Sequence, residues 1–493
     1  MKQFNQILAF DLGSSGGRAQ WGQFDGKKLA IEEIHRFPNV PVRLGERWYW
    51  DVLRIFEEMQ YGLRKAANRA NGNDFTLGID TWGVDYGLLD ASGELMSHIS
   101  HYRDARTDGL YEKIFRKIAK VDIYKLTGIM FIQFNTLVQL YADLRNRPWL
   151  LENACDLLFV PDLFNYLLTG ERFSEMTIAS TSQFFNPASK TWANSVFKVL
   201  ELPTRLLQPI IRPGMKMGHL KPALQLNAGF KGAVDVIAVG SHDTASAWAA
   251  TPIEKGVPGA LISLGTWSLL GTELDEPNFS DASLAYNFTN ECGVAGTVVY
   301  HKILGGLWLI QECRRCWREA GQSLTYEEIH QAAASAAPLR FLFDPDDQKF
   351  LNPDRMPETI TAYFSDLKLP APEGVPQIAR CIYESLALNY RYTIDLMEQI
   401  TQRPIEVIHI VGGGSQARLL CQFTANAADK KVIAGPVEAT TVGNMLMQLQ
   451  ARGAIQGLSQ GRQMVRHSFA LKNFEPEDRT AWEDAYGRFI NLK

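Results

Sequence analysis

The stretch that decides the fold reads Gly240-Ser241-His242-Asp243-Thr244-Ala245-Ser246 and lies near the middle of the 493-residue chain. An apolar run at 234–239 precedes it and predicts a buried strand, and residues 244–250 predict a helix after it. Sites in α/β proteins lie at the carboxyl ends of strands, so this strand is expected to deliver His242 and Asp243 to a site. An aspartate there can accept a proton from a bound hydroxyl group; the alternative is that Asp243 only caps the helix.

The bulk composition predicts a soluble protein of two or three domains, since a domain averages roughly 150 residues. A hydrophobic content of 46% is ample for sizeable cores, and a net charge of −4 gives no reason to expect nucleic acid or an acidic membrane as a partner. No apolar stretch reaches the roughly 18 residues of a membrane helix, and the first residues lack the apolar core of a signal peptide. Six cysteines are too few for a disulfide scaffold. We expect a cytoplasmic protein.

The N-terminal segment predicts a hairpin, because the apolar strand at 7–12 reaches a Gly/Ser turn and a second strand at 19–24 follows at once. A Walker A loop is excluded, since it needs Gly-Lys-Ser/Thr at a helix start. The backbone N–H groups of a Gly/Ser tip can still cradle a phosphate, and Asp11 at the strand end would suit Mg²⁺. The alternative is an ordinary hairpin, since glycine-rich tips are common.

Two further segments of the first half carry polar and aromatic side chains together. Residues 75–90 predict a strand, a Thr-Trp-Gly turn and a second strand, with Asp80 and Asp85 on either side of the turn. Such a turn suits a sugar site, although a single aspartate also forms turns for structural reasons. Residues 101–109 mix both signs of charge with a tyrosine, so they either line a polar cleft or form a solvated surface.

The second half repeats the opening theme. Residues 259–271 again predict a strand, a Gly-Thr turn and a strand, which suggests a duplicated domain with a cleft between the copies. The long helix predicted at 377–400 leads to a strand at 407–411 and then to Gly412-Gly413-Gly414 and another helix. Such a turn lets a phosphate or flat ligand approach the backbone. The spacing is not G-x-G-x-x-G, so a dinucleotide-binding dehydrogenase is disfavoured.

Taken in order, these motifs resemble the FGGY carbohydrate kinases, which share the two-domain ATP-binding fold of actin, hexokinase and Hsp70. The stretches that carry the resemblance are 78–85 (GIDTWGVD), 102–107 (YRDART), 134–136 (FNT), 241–247 (SHDTASA), 265–268 (GTWS), 306–308 (GLW), 409–414 (HIVGGG) and 433–438 (IAGPVE). The resemblance implies an α/β fold of two duplicated ATPase domains with an interdomain cleft. We place the sugar-binding domain at 1–250, the nucleotide-binding domain at 251–465 and a tail helix at 466–493.

The resemblance also assigns roles to individual residues. Asp243 becomes the catalytic base, and Asp11 acts on Mg²⁺ directly or through water. The expected sugar contacts are Asp80, Trp82, Gly83, Arg103, Asp104, His242 and Thr244. The expected nucleotide contacts are Ser14, Ser15, Gly16, Gly17 and Arg18 in the first hairpin, Thr266 in the second, and Gln311, Gly412, Gly413 and Gly414.

The implied reaction is transfer of the γ-phosphoryl group of MgATP to the 1-hydroxyl of the ketose L-rhamnulose. Two departures from the family pattern stand out: Cys292 replaces a glycine in a Thr-Asn-Glu-Gly-Gly run, and Ile303 replaces an asparagine that contacts substrate in the family. Losing a hydrogen bond to a hydroxyl can shift substrate choice, so L-fuculose, L-ribulose and D-xylulose are alternative substrates. A nucleotide-dependent switch or filament protein on the same fold is a further alternative. A monomer and a homodimer are both open.

Overall fold

The computed structural model describes residues 5–493. The strands are β1 (Asn5–Gly13), β2 (Gly16–Phe24), β3 (Leu29–Pro38), β4 (Val42–Leu44), β5 (Arg47–Tyr49), β6 (Phe75–Thr81), β7 (Tyr86–Leu89), β8 (Asp156–Phe159), β9 (Ser174–Glu175), β10 (Phe185–Asn186), β11 (Thr191–Trp192), β12 (Ile210–Ile211), β13 (Lys216–His219), β14 (Val234–Ile237), β15 (Gly259–Leu264), β16 (Trp267–Leu274), β17 (Thr289–Cys292), β18 (Val298–Gly305), β19 (Val407–Val411), β20 (Lys431–Ala434) and β21 (Lys472–Phe474).

The α-helices are α1 (Val52–Ala70), α2 (Leu110–Phe115), α3 (Lys120–Thr127), α4 (Thr136–Asn146), α5 (Pro148–Asn153), α6 (Val160–Thr169), α7 (Met176–Ser180), α8 (Asn194–Val199), α9 (Pro222–Ala228), α10 (Asp243–Ala249), α11 (Asp281–Ala285), α12 (Trp308–Glu319), α13 (Tyr326–Ser335), α14 (Met356–Asp366), α15 (Gly374–Thr401), α16 (Arg418–Ala428), α17 (Ala439–Ala451), α18 (Leu458–Ser468) and α19 (Arg479–Ile490). Among residues 5–493, every helix is too short or too polar to span a membrane.

The chain forms two compact units, and each unit draws on separate parts of the sequence. The first unit runs to Pro252 and adds Glu273–Tyr300 and Ala439–Ser468, whereas the second comprises Ile253–Thr272, His301–Glu438 and Phe469–Lys493. This division differs from the continuous domains at 1–250 and 251–465, because two later segments pack with the first unit. The tail at 466–493 holds the end of α18, strand β21 and helix α19 instead of one helix.

The sheet of the first unit brings three strand ends to one edge. Its strand order is β13-β14-β6-β1-β2-β3. β1 and β2 form the predicted hairpin, whereas β1, β6 and β14 run parallel, with Asp11 opposite Asp80. Because parallel strands end on the same side of a sheet, the segments that follow β1, β6 and β14 meet there.

The second unit repeats this order of elements. Its strands are arranged β18-β16-β15-β19-β20-β21, with the β15–β16 hairpin antiparallel and β15, β19 and β20 parallel. Val411 at the end of β19 lies opposite Ser263 near the end of β15. Each unit thus has a hairpin followed by parallel strands, which is the duplicated α/β architecture that the sequence predicts.

Two helices show how the sequence builds the first unit. In α1, the buried residues Val52, Ile55, Met59 and Leu63 recur every three to four positions, so one helix face is apolar. Asp51 accepts a hydrogen bond from the backbone of Arg54 and begins the helix. In α17 nearly every residue from Ala439 to Leu449 is buried, which is typical of a helix that lies inside a unit.

Candidate active site

Asp243 lies at the carboxyl end of β14 with its carboxylate partly open to solvent. The strand ends at Ile237, and α10 begins at Asp243 with His242 in the N-cap position. Asp243 is therefore the first helical residue and not the cap, which removes the structural alternative for it. Its carboxylate accepts a hydrogen bond from Thr244 Oγ1 at 3.1 Å, and 34% of its side chain is exposed. An exposed carboxylate at this edge is available to a ligand.

His242 lies between two carboxylates. Its Nδ1 is 2.9 Å from Glu291 Oε2, and its Nε2 is 3.5 Å from Asp243 Oδ1. Burial is the largest single influence and lowers the pKa of His242, but Glu291, Asp243 and Glu175 together outweigh it and the net shift of the pKa is upward. Burial raises the pKa of Asp243, and the neighbouring His242 opposes that rise. A Cβ atom on Gly83 would come within 3.3 Å of His242 Nε2, so the turn that carries Gly83 borders the same spot.

A buried carboxylate fixes the backbone on which His242 stands. Glu175 accepts hydrogen bonds from the backbone of Thr177 and Ile178 at the start of α7, and from the backbone of Ser241 at 3.1 Å. Thr177 Oγ1 in turn accepts from the His242 backbone at 3.2 Å. These bonds hold residues 241–242 in one conformation, and no local sequence pattern indicates them.

Glu175 predicts a measurable pH dependence of stability. Burial raises its pKa to about 7, against hydrogen bonds that lower it. A raised pKa means that the folded state holds a proton that the unfolded state releases, so this contribution is complete below about pH 4.5 and is lost as pH rises through about 7. Relative to Glu175→Gln, the wild-type chain should lose about 3 kcal/mol of stability across that window.

Thermal unfolding at half-unit pH steps measures this difference. Glu276→Gln, at an exposed glutamate of the same unit, is the matched control and should follow the wild-type curve. Parallel pH curves for wild type and Glu175→Gln would contradict the assignment of this titration to Glu175.

Asp11 and Asp80 lie side by side but differ in what they can contact. Asp11 Oδ2 accepts a hydrogen bond from Arg18 at 2.6 Å, and Thr441 Oγ1 lies 3.4 Å from the same oxygen. Asp80 is fully buried and accepts from Asn444 Nδ2 at 2.6 Å. Burial raises the pKa of both carboxyls. The carboxylate of Asp80 faces α17 in the interior, so the sugar contact of Asp80 stays a prediction with which the Asn444 bond competes.

Asp85 organises the aromatic turn after β6. Its carboxylate accepts hydrogen bonds from Trp50 Nε1 at 2.6 Å, Trp82 Nε1 at 2.9 Å and Gln139 Nε2 at 2.9 Å. Burial raises the pKa of Asp85 to about 6, and these hydrogen bonds hold it from rising further. Trp82 is almost fully buried and its N–H is used on Asp85, so any contribution of Trp82 to a sugar site is through the position of the turn.

Two residues of the polar segment before α2 differ in role: Asp104 is structural, and Arg103 is accessible. Asp104 is buried; its oxygens accept from the backbone of Trp48 at 2.8 Å and of Arg106 at 3.1 Å. This carboxylate shapes the loop. A sugar hydroxyl that bound Asp104 directly, as predicted, would have to compete with these two backbone donors. Arg103 is exposed and lies over the Tyr102 ring at 5.8 Å, so it remains accessible to a ligand.

The tip of the first hairpin is accessible. Ser14 and Ser15 are exposed, and Gly16 and Gly17 continue directly into β2. Asn39 stabilises the tip, since its backbone donates to Ser15 O at 3.2 Å and its side chain donates to Gly13 O at 3.0 Å. The free backbone of such a tip suits phosphate oxygens.

In the second unit, Thr266 and Gln311 meet at the tip of the second hairpin. Thr266 Oγ1 lies 3.4 Å from Gln311 Oε1, and the Trp308 backbone donates to Thr266 O at 3.0 Å. Gly306 makes this approach possible, because a Cβ atom there would lie 2.6 Å from Thr266 O. The hairpin tip and the start of α12 are thus held backbone to backbone.

The three glycines after β19 lie beside this hairpin tip. Gly412 has a φ of 82°, which favours glycine, and a Cβ atom on Gly414 would collide with Leu264. Gly413 has open space around it. A short 3₁₀ turn at Gly413–Gln416 lies between the strand and α16, in agreement with the predicted order of strand, glycine turn and helix.

Several features were not predictable from local sequence. Glu291 lies in the segment noted only for Cys292, and Asn444 and Thr441 come from a helix far along the chain. Cys292 is buried, and its backbone donates to Ser180 Oγ at 2.9 Å. Among residues 5–493, no three His, Cys, Asp or Glu side chains form a ready-made metal cluster.

The chain matches known proteins along almost its whole length. Models of the FGGY family of carbohydrate kinases match in two parts, the N-terminal domain at 6–249 and the C-terminal domain at 260–452. A rhamnulokinase of Bacteroides thetaiotaomicron is 41% identical over 100% of this chain and 99% of its own. A rhamnulokinase of Bacillus subtilis is 36% identical over 95% of both chains.

Solved structures agree on the fold. A ligand-bound xylulose kinase from Lactobacillus acidophilus aligns with a TM-score of 0.81 at 15% identity, covering 99% of this chain and 97% of that one. A glycerol kinase of Plasmodium falciparum with ADP aligns with a TM-score of 0.78 at 14% identity, covering 99% and 98%. The predicted fold class and family are confirmed, and a switch or filament protein is not supported. The chain belongs to the FGGY family of carbohydrate kinases, enzymes that phosphorylate sugars with ATP.

Proposed function

We propose that this kinase transfers the γ-phosphoryl group of MgATP to the 1-hydroxyl of L-rhamnulose, giving L-rhamnulose 1-phosphate and ADP. The observation that carries the choice of sugar is the full-length similarity to proteins named rhamnulokinase, up to 41% identical. The accessible carboxylate of Asp243 supports the same reaction, because an acceptor hydroxyl needs a group that takes its proton.

Asp243 is the proposed general base. Phosphoryl transfer has a largely dissociative transition state, so positioning and charge neutralisation supply most of the catalysis. A carboxylate can then orient the hydroxyl and take its proton late in the reaction. His242 and Thr244 contact Asp243, and Gly83 borders His242; these three residues are proposed to contact the sugar, with Arg103 as an accessible cation for its hydroxyl groups.

The nucleotide is proposed to use two sets of backbone and hydroxyl donors. Ser14 to Arg18 form one set, and Thr266, Gln311 and Gly412 to Gly414 form the other. Mg²⁺ is usually held by one or two carboxylates together with phosphates and water, and it neutralises phosphate charge. Asp11 fits this role through a water molecule, because Arg18 already binds one of its oxygens at 2.6 Å.

Sugar-dependent ADP release with MgATP tests the proposal. L-rhamnulose, L-fuculose, L-ribulose, D-xylulose and glycerol are compared with a reaction without sugar, and ³¹P NMR identifies the phosphorylated position. We expect the highest kcat/KM for L-rhamnulose and a 1-phosphate product. Preference for another ketose would overturn the sugar assignment and direct attention to Ile303, which stands in β18 of the second unit. ADP release that ignores every sugar would overturn the kinase role.

Gly306 provides a test of the proposed nucleotide contacts. In Gly306→Ala, the new Cβ atom would lie 2.6 Å from Thr266 O and from the carbonyl carbon of Trp267, so the hairpin tip must shift. A displacement of about 1 Å in a binding site can cost about 10²-fold in rate, so kcat/KM for ATP should fall by ~10- to 100-fold.

Gly487→Ala is the matched control for this variant. Gly487 lies in α19 of the same unit with open space around it, so a methyl group should leave kinetics unchanged. Steady-state kinetics with varied ATP at saturating sugar measure both variants. An unchanged kcat/KM for ATP in Gly306→Ala would remove the hairpin tip from the nucleotide site.

A further inference from the structure

Glu291 occupies the side of the His242 ring that faces away from Asp243. It belongs to β17, within the segment Glu273–Tyr300 of the first unit, and its side chain is almost completely buried. Its Oε2 is 2.9 Å from His242 Nδ1, whereas His242 Nε2 is 3.5 Å from Asp243 Oδ1. The three side chains thus form a row of carboxylate, imidazole and carboxylate.

The row determines the charge of its middle member. A buried carboxylate next to Nδ1 favours a proton on that nitrogen and fixes the orientation of the ring. The ionisable side chains that act on His242 are Glu291, Asp243 and Glu175, and all three are acidic. The negative charges of Glu291 and Asp243 favour imidazolium over neutral imidazole, against the effect of burial. Glu175 adds to this only where its carboxyl is ionised, since its own pKa is about 7.

An imidazolium beside Asp243 has a chemical consequence for the proposed reaction. Burial favours the protonated form of the Asp243 carboxyl, which cannot accept a proton from a sugar. A positive charge 3.5 Å away favours the carboxylate form instead. The charge of Glu291 acts on Asp243 directly as well and raises its pKa, but this effect is smaller than that of His242. The net influence of Glu291 on the proposed base therefore runs through His242.

We propose that Glu291 is a positioning residue for phosphoryl transfer: it holds His242 as an imidazolium turned towards Asp243, and so keeps Asp243 ionised and able to accept the hydroxyl proton. The proton passes from the sugar hydroxyl to Asp243, and none moves along the row. This inference rests on the proposed role of Asp243 and adds a residue outside the proposed sugar and nucleotide contacts.

The pH profile of kcat/KM for the sugar distinguishes this role from a merely structural one. In Glu291→Gln the acid limb should move up by about one pH unit, the lower end of the effect of an opposite charge at this range. The rate should then be roughly tenfold below wild type on the acid side and approach it on the alkaline side. Glu291→Asp, which keeps the charge, should restore much of the wild-type profile.

A second His–Glu pair in the first unit supplies the matched control. His35 Nε2 lies 2.6 Å from Glu58 Oε2, and β3, which carries His35, is four strands away from β14 in the sheet. Glu58→Gln should leave the pH profile unchanged. A Glu291→Gln profile that is lowered equally at every pH, or that equals wild type, would overturn the inference.

A measurement on the resting protein separates this inference from the proposed function. In ¹⁵N-histidine NMR spectra without substrates, the His242 ring should lose its proton at a lower pH in Glu291→Gln than in wild type. His242→Asn identifies the signal. The same titration of His242 in wild type and Glu291→Gln would overturn the inference even if the sugar assay succeeds. Failure of the sugar assay alone would overturn the proposed function and leave the His242–Glu291 pair intact.

Discussion

Replacing Asp243 by asparagine is expected to lower turnover by ~10²-fold or more, the scale of general acid–base catalysis. Asparagine keeps the size of the side chain and its place at the first position of α10, but it cannot accept a proton. The affinity for ATP should change little, because the proposed nucleotide contacts lie elsewhere. The measurement is kcat for sugar-dependent ADP release, together with a binding isotherm for ATP.

A matched aspartate is available as a control for this substitution. Asp281 is also the first residue of a short helix in the first unit, and it is exposed. Asp281→Asn should retain wild-type turnover. If Asp243→Asn retained it as well, Asp243 would not be the base, and the choice of another group would begin with the side chains bordering Gly83.

Replacing Asp85 by alanine is expected to cost several kcal/mol of stability, about 3–6, because it leaves three buried donors without their acceptor. The Asp85 backbone also donates to Gly83 O at 2.9 Å, so the turn that borders His242 should loosen and KM for the sugar should rise. Denaturant unfolding followed by tryptophan fluorescence reports the loss directly, since Trp50 and Trp82 are two of the three donors.

Asp85→Asn separates hydrogen bonding from charge, since the amide oxygen still accepts. Asp90→Ala is the control: its carboxylate also accepts three hydrogen bonds, from Ser92 N, Ser92 Oγ and Glu94 N, but it lies near the surface where water replaces them. Its effect on stability should be much smaller. Equal effects of Asp85→Ala and Asp90→Ala would show that burial of the donors is not the cause.

The parts of the fold that the sequence predicted are those with a local signal. The two hairpins, the strand before His242 and the helix after it follow from apolar runs broken by glycine, and the structure places them within two or three residues. The division into units could not be predicted in this way. Helix α17 is buried on nearly all sides, so its sequence does not reveal which partner it packs against.

Asp80 and Asp104 bind partners within the protein that a local sequence pattern does not reveal. The acidic character of Asp80 and Asp104 was visible in the sequence, but their partners were not. Asn444 lies far along the chain from Asp80, and the partners of Asp104 include a backbone N–H, which carries no sequence signal. A carboxylate that binds a ligand and one that binds its own protein look alike until the fold brings the competing donors into view.

Helix α17 has a consequence for the order in which the protein is made. Its Asn444 donates to Asp80, and its Gln448 donates to Leu8 O at 3.0 Å. A ribosome that has translated as far as α10 has made the proposed base and all six strands of the first sheet, but not α17, which packs against β1 and β6. The first unit can therefore reach its final packing only near the end of translation. Messages truncated before residue 439 should yield chains that expose this surface and depend on chaperones.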